Sequence, residues 1–326
     1  MNFNEIVGHE NIVESLKNAI RNDSVSHSYL FEGPKSIGKE KLAKAFAKAL
    51  LCQKGGDSPC NTCPSCMKIE SGNHPDFYME YPDKDSFKKE RVEELQRTVR
   101  KLPLESNRKI YIIDDAEKMT QQAQNSFLKT LEEPPVYTVI ILLATNGYSL
   151  LPTIVSRCQI VKFTPIEREK IEEALIKYYN RSEEQARFIA AFSNGIIGRA
   201  IELSKSDEFR LLRDEIIEKL DTIMNGDKLK VFSVSEFFEQ NKDIIDEIMD
   251  IILLWNRDLL IYKEIKNIDL LINKDKVDLI SNQCQKLSKS KIMDILDVVR
   301  RTKEDIHSNV NFQLAIEVML LNIQEV

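Results

Sequence analysis

A chain of 326 residues, 42% hydrophobic and 30% charged, is long enough for two or three domains and has an ordinary soluble composition. Its net charge of −6 argues against a broad nucleic-acid-coating surface but is compatible with a local basic patch. No apolar run approaches the roughly 20 residues of a membrane span, and the start Met1-Asn2-Phe3-Asn4-Glu5 has neither a basic segment nor an apolar signal core. The expected location is the cytoplasm, where six cysteines read as metal ligands or free thiols before disulfides.

Residues 5–22 carry Ile6, Val7, Ile12, Val13, Leu16, Ala19 and Ile20 at helical spacing and predict an amphipathic helix. The apolar run Tyr29-Leu30-Phe31 then leads into Gly33-Pro34-Lys35-Ser36-Ile37-Gly38-Lys39-Glu40 and a helix over 39–51. This nearly fits the phosphate-binding pattern G-x-x-x-x-G-K-[ST] in its required strand, loop and helix context. In such a loop the backbone N–H groups and helix N-terminus hold phosphates, the lysine (here Lys39) reaches the β/γ-phosphates, and a hydroxyl binds Mg²⁺. Here Glu40 stands at the hydroxyl position. It adds negative charge where phosphates would sit and removes the usual metal ligand. The expectation is a nucleotide-binding fold, able to hold ATP or ADP, with impaired chemistry of its own.

Cys52, Cys60, Cys63 and Cys66 follow within fifteen residues, with Gly55-Gly56, Pro59 and Pro64 to turn the chain. Four thiolates so spaced suit a tetrahedral Zn²⁺ site with Zn–S distances of about 2.3 Å; the alternative is a set of free thiols. A catalytic zinc would usually draw on His or Glu ligands and keep a water site. The nearest histidine, His74, lies outside the cluster, so a structural zinc is expected.

Residues 76–81 predict a second strand and 92–102 a helix. Between residues 86 and 109 lie eight basic side chains (Lys88, Lys89, Arg91, Arg97, Arg100, Lys101, Arg108, Lys109) against four acidic, a net +4. That is either a phosphate-backbone contact or a solvated helix face. The strand Lys109-Ile110-Tyr111-Ile112-Ile113 ends in Asp114-Asp115-Ala116-Glu117, a Walker B pattern. Its first acid, Asp114, would help hold Mg²⁺ and its second would polarise the attacking water. Asp115 replaces the usual glutamate there, which retracts the carboxylate by roughly 1.5 Å, and misplacement near 1 Å costs about 100-fold.

A helix is expected over 120–131, stopped by Pro134-Pro135, then a buried strand over 138–144 closing on Thr145-Asn146. Those two polar residues would either sense a γ-phosphate or make a cap or turn. Ser156-Arg157-Cys158 precedes a last strand at 159–163. Alternating apolar strands and helices argue for α/β architecture with a parallel sheet flanked by helices. Beyond Thr164-Pro165 the pattern becomes helical, with no further proline and glycine only at 195, 198 and 226. Helices are expected at 167–179, 183–192, 199–204, 244–261 and 312–323.

Taken together, these stretches resemble the AAA+ clamp-loader family of bacterial DNA polymerase III. The resemblance rests on His27-Ser28-Tyr29-Leu30-Phe31-Glu32-Gly33-Pro34, the cysteine cluster directly after the loop's helix, and Ile112-Ile113-Asp114-Asp115-Ala116-Glu117. Ser156-Arg157-Cys158, Gly195-x2-Gly198-Arg199-Ala200 and Asn311-Phe312-x2-Ala315-Ile316-Glu317 extend it along the whole chain.

The resemblance implies a P-loop AAA+ domain over residues 1–163 with the zinc module at 52–66, a helical lid over 164–206 and a helical collar for oligomerisation over 207–326. It implies a pentameric loader that opens the sliding clamp and places it on primed DNA during replication. Within it, this chain would be the non-hydrolysing member, beside tau/gamma ATPase subunits and a delta subunit. Arg157 would be the arginine finger presented to the neighbour's ATP, the alternative being a helix-end salt bridge. Gly33, Gly38, Lys39, Asp114, Asp115, Thr145, Asn146 and Arg199, the last at the second sensor position, would line a degenerate nucleotide site. Some members of this branch have lost the loop lysine, whereas Lys39 is retained here. The competing function is an active AAA+ motor of the tau/gamma type, disfavoured by Glu40 and Asp115.

Overall fold

The computed structural model describes every residue except 1, 83–85, 206, 227–229, 309 and 326. Residue 206, where the expected lid ends, therefore lies outside the described residues. Contacts divide the chain into two compact units, Met1–Ile171 with Gly195–Arg199, and Glu172–Asn194 with Ala200–Val326.

In the first unit, α1 (Glu10–Arg21) leads to β1 (Ser28–Glu32) and α2 (Lys39–Leu50). Then come α3 (Pro64–Glu70), β2 (Phe77–Glu80), α4 (Lys89–Val99) and β3 (Lys109–Ile113), followed by α5 (Gln121–Glu132), β4 (Thr138–Ala144), the single turn α6 (Pro152–Val155) and β5 (Gln159–Lys162). The helix expected over 5–22 is broken because Gly8 adopts φ +77°, where a Cβ would strike the Ile166 side chain at 2.3 Å. The one expected over 92–102 starts and stops three residues earlier; Leu102 precedes Pro103, which disfavours helical backbone there.

Among the described residues all five strands are parallel, in the order β2-β3-β4-β1-β5. Parallel strands covered on both faces need continuous apolar side chains. β3 and β4 are accordingly buried at every residue. The core on one face gathers Leu95, Val99, Phe127, Leu131 and Ile154 against Tyr111, Ile113, Ile140 and Leu142. The connection after β1 crosses to β2 at the far edge of the sheet, whereas the one after β4 passes β1 to reach β5 on its other side. The crevice at the carboxyl end of β1 is therefore the place where open α/β sheets bind ligands.

The boundary between the units falls within α7 (Arg168–Tyr179) and again within α9 (Ile197–Leu203). The second unit holds α8 (Glu183–Phe192), α10 (Glu208–Asn225), α11 (Lys230–Gln240), α12 (Ile245–Ile265), α13 (Val277–Lys286), α14 (Lys289–His307) and α15 (Phe312–Glu325). α12 packs against α10, α13 and α14. Its Trp255 is fully buried and donates Nε1–H to Gln283 Oε1 at 2.9 Å, which satisfies both polar groups inside an otherwise apolar layer. None of the helices in the described residues is long and apolar enough to cross a membrane.

Candidate functional site

The Gly-rich loop sits at the carboxyl end of β1. Gly33 is required by close approach: a Cβ there would lie 2.7 Å from the Phe163 carbonyl oxygen. Gly38 caps α2 with φ +111°, which leaves the first N–H groups of that helix pointing out of the loop. Ser36 O accepts the Gly198 N–H at 2.9 Å, and a Cβ on Gly198 would lie 2.5 Å from that oxygen. The 195–198 turn is thereby fastened to the loop, with Arg199 half-buried one residue on.

Lys39 lies almost fully buried in the cradle. Its ammonium donates to the carbonyl oxygens of Gly33 at 2.6 Å and Pro34 at 2.9 Å. Burial pulls its pKa down, opposed by the negative charges of Glu117, Asp114 and Asp115. Burial likewise pushes Asp114 up. Asp114 Oδ1 accepts the Asp115 N–H at 3.0 Å, while Asp115, held at φ +45°, turns its carboxylate to Lys118 at 2.7 Å. Glu40 is paired with Lys44 one turn along α2 and accepts from the Tyr81 hydroxyl at 3.3 Å. The two residues that depart from the nucleotide-site pattern thus both point at local cations.

Thr145 donates its N–H to Glu117 Oε1 at 3.0 Å, and its hydroxyl bonds the same oxygen. Asn146 caps the following turn, its side chain accepting the Ser149 N–H at 3.1 Å. Glu117, given no role at the sequence level, therefore joins the Asp114 strand end to the β4 strand end. Its other oxygen, Oε2, is buried without a partner. The signal for it was its place three residues after Asp114, but the contact spans 28 residues and only the fold brings it about.

Arg157 lies at the other end of the sheet. Ser28, the first residue of β1, donates its hydroxyl to Arg157 O at 2.6 Å. Cys158 is packed against the core, where burial pushes its thiol up to about 11. Ser156 Oγ turns back to Thr153 O at 3.2 Å. With its neighbours anchored, the arginine side chain faces outward. It pairs with Glu132 at 2.7 Å and donates to Thr153 O at 2.8 Å. The salt bridge weighed as the alternative reading of this residue is present. The five residues of β1 separate Arg157 from the Gly-rich loop by about 17 Å.

The four cysteines Cys52, Cys60, Cys63 and Cys66 bring all their sulfurs within 4.8 Å of one another. A tetrahedron with Zn–S bonds of about 2.3 Å has sulfurs about 3.8 Å apart, and those of Cys60 and Cys66 lie 3.9 Å apart. N–H groups point at the ligands: Cys63 N donates to Cys60 Sγ at 3.3 Å and Cys66 N to Cys63 Sγ at 3.4 Å. Backbone donation from Thr62 pulls the Cys60 thiol down to about 5, while burial pushes Cys66 up to about 12. Four sulfurs at this spacing would need a cation to be held together as thiolates, so the residues fit a bound metal ion.

α3, which carries Cys66, is tied into the first unit. Ser65 Oγ donates to Leu51 O at 2.6 Å and meets His74 Nε2 at 3.0 Å. His74 Nδ1 accepts the Asp76 N–H at 3.1 Å, and the buried Asp76 carboxylate accepts the N–H groups of Leu104, Glu105 and Ser106 at 2.7–2.9 Å.

In the basic stretch, half the cations are used internally. Lys109 is buried against Thr98 O and Lys101 O, Arg108 pairs with Asp23, Arg91 with Glu80 and Lys89 with Glu93. Lys88, Arg97, Arg100 and Lys101 stay exposed on and beside α4.

Two family models match this chain, DNA polymerase III delta subunit over residues 8–167 and its C-terminal counterpart over residues 208–325. DNA polymerase III subunit delta' of Bacillus subtilis is 37% identical over 318 residues, 96% of this chain and 95% of that protein. The chain belongs to the delta-prime clamp-loader family of DNA polymerase III. Subunit tau of the same bacterium is 28% identical over 96% of this chain but only 60% of its own length. Among solved structures, the Bacillus subtilis DNA clamp loader delta protein is 14% identical, with a TM-score of 0.39 over 96% of this chain and all of that one. The first matched span holds the parallel sheet between helices and the four-cysteine cluster, and the second holds most of the helical carboxyl-terminal region.

Proposed function

We propose that this chain is the non-hydrolysing subunit of a clamp loader and acts on a neighbour's nucleotide through Arg157. The observation that carries this reading is the placement of Arg157 about 17 Å from the chain's own phosphate loop, at the opposite sheet end. From there the side chain cannot serve its own pocket, and it is exposed to serve another. Such an arginine stabilises the charge developing on a transferring phosphoryl and is worth roughly 10³–10⁵ in rate.

The chain's own pocket, formed by Gly33, Gly38, Lys39, Asp114, Asp115, Thr145, Asn146 and Arg199, retains a cradle for ATP or ADP phosphates. Glu40 is paired with Lys44 and Asp115 with Lys118, so turnover there is not expected. The four cysteines would hold one structural Zn²⁺, fixing α3 without taking part in chemistry. The partners would be tau/gamma ATPase subunits and a delta subunit, with the sliding clamp and primed DNA engaged through the assembled cytoplasmic complex. The working division is an AAA+ domain over 1–163, a lid over 164–206 and a collar over 207–326.

The deciding experiment is an ATPase assay of the reconstituted loader with and without this chain, and of the chain alone. The complex should depend on the chain while the chain alone is inert. Robust DNA-stimulated hydrolysis by the chain alone would instead make it a motor of the tau/gamma type, a reading that its weaker similarity to tau supports less well.

A further inference from the structure

Arg157 has five guanidinium N–H donors in one plane. One from Nη2 goes to Glu132 Oε1 at 2.7 Å, and Nη1 gives one to Thr153 O at 2.8 Å, with Ser156 Oγ more distant at 3.4 Å. The Nε–H and the second Nη2 hydrogen remain available, enough for the two-pronged grip that a phosphate accepts.

Glu132 is the last residue of α5, with Glu133 at the C-cap and Pro134-Pro135 beyond. A carboxylate there faces the negative end of the helix dipole, so the helix itself does not favour it. Its hydrogen-bonded partner is Arg157, 25 residues away. We infer that Glu132 is the positioning residue of the arginine arm: it holds one edge of the guanidinium so that the opposite edge is already aimed at the neighbour's phosphates. This rests on the trans-acting reading of Arg157 given above.

The solvent exposure of the pair is what allows this. With side chains 34% and 46% exposed, solvent screens the pair, and Glu132 orients the arginine without cancelling its charge. An untethered arginine would have to give up its rotamer freedom during the reaction; a tethered one has done so in advance.

The test uses the loader reconstituted with its ATPase subunits and five forms of this chain: wild type, R157A, E132A, E132Q and the R157A/E132A double variant. Glu132→Ala should lower kcat for ATP about 10-fold with KM unchanged, because the arm loses its aim and not its charge. Glu132→Gln should stay within about 2-fold of wild type, since its amide oxygen still accepts the Nη2 hydrogen bond. On the R157A background E132A should add nothing, as expected when both act as one unit. Wild-type or raised turnover in E132A while R157A is crippled overturns the inference, as do equal losses in E132Q and E132A. An R157A complex of normal activity overturns the arm reading itself, and the inference with it. Co-elution of each variant with the assembled loader and an unchanged melting midpoint separate these results from misfolding.

Discussion

The two ends of the central sheet are built on opposite principles. At the carboxyl end, the polar groups are turned on one another: Lys39 on its own loop carbonyls, Glu40 on Lys44, Asp115 on Lys118, and Thr145 on Glu117. At the amino end, Ser28 and Cys158 anchor the backbone on either side while Arg157 is held out at the surface. On the proposed reading, the contrast is that of a nucleotide fold that gives up its own pocket yet keeps a charged group directed outward. Closing the pocket costs nothing at the arginine edge, because a full strand length lies between them.

The sharpest way to break this contrast is Arg157→Ala, which should lower the ATPase of the assembled loader by roughly 10³ while leaving assembly intact. Unchanged turnover would mean that the outward edge is ordinary surface. Next in size is Cys63→Ser, expected to release about one equivalent of zinc and lower the melting midpoint by ~6 °C or more, since loss of a metal is among the largest single-site effects. A zinc-free wild-type protein with an undiminished midpoint would remove the metal from the account.

A smaller effect separates the pocket end by pH. Burial holds His9 below its ordinary value of 6.5; its ring bonds Ile37 O at 3.1 Å, and Glu10 and Lys170 lie nearby with opposing charge effects. His74 is shifted the same way by burial. As pH falls through 6.5 the unfolded chain binds protons that the folded one refuses, so stability decreases toward acid and is full at higher pH. The melting midpoint should drop between about pH 7.5 and 5.5, and His9→Gln should flatten that dependence; an identical slope would exclude His9 as a contributor. The smallest effect on turnover belongs to Lys39→Ala, which should change the complex's ATPase by less than about 2-fold while costing roughly 1–3 kcal/mol of stability from the unpaired carbonyls. A large loss of turnover would reopen the pocket as a working site.

Legibility followed the range of the interactions. β3, β4 and α8 were readable nearly to the residue, because continuous apolar runs and helical spacing are local signals; the structure adds a capping box at Ser182. α3 was missed: seven residues that begin inside the cysteine cluster have too few apolar positions to show a period. The strand order, which puts β4 and β5 on either side of β1, is a property of pairing and left no local trace. In the pocket, the Gly-rich loop and the Asp114 strand end were legible as motifs. Glu117 and Glu132 were not, since their partners lie 28 and 25 residues away and only three-dimensional packing selects them.

The Asp76 carboxylate has a kinetic consequence. Leu104 is 77% exposed and would pass for part of a loose surface loop, yet its N–H and the next two are bonded to an acid with no solvent exposure at all. Amide exchange at 104–106 should therefore be slow for so exposed a segment, each N–H being held by a buried acceptor. The same segment touches His74 through Ser106 Oγ at 3.4 Å, and His74 meets Ser65 on the helix that carries Cys66. The rate at which a surface loop exchanges its hydrogens would then also time the loosening of the metal module.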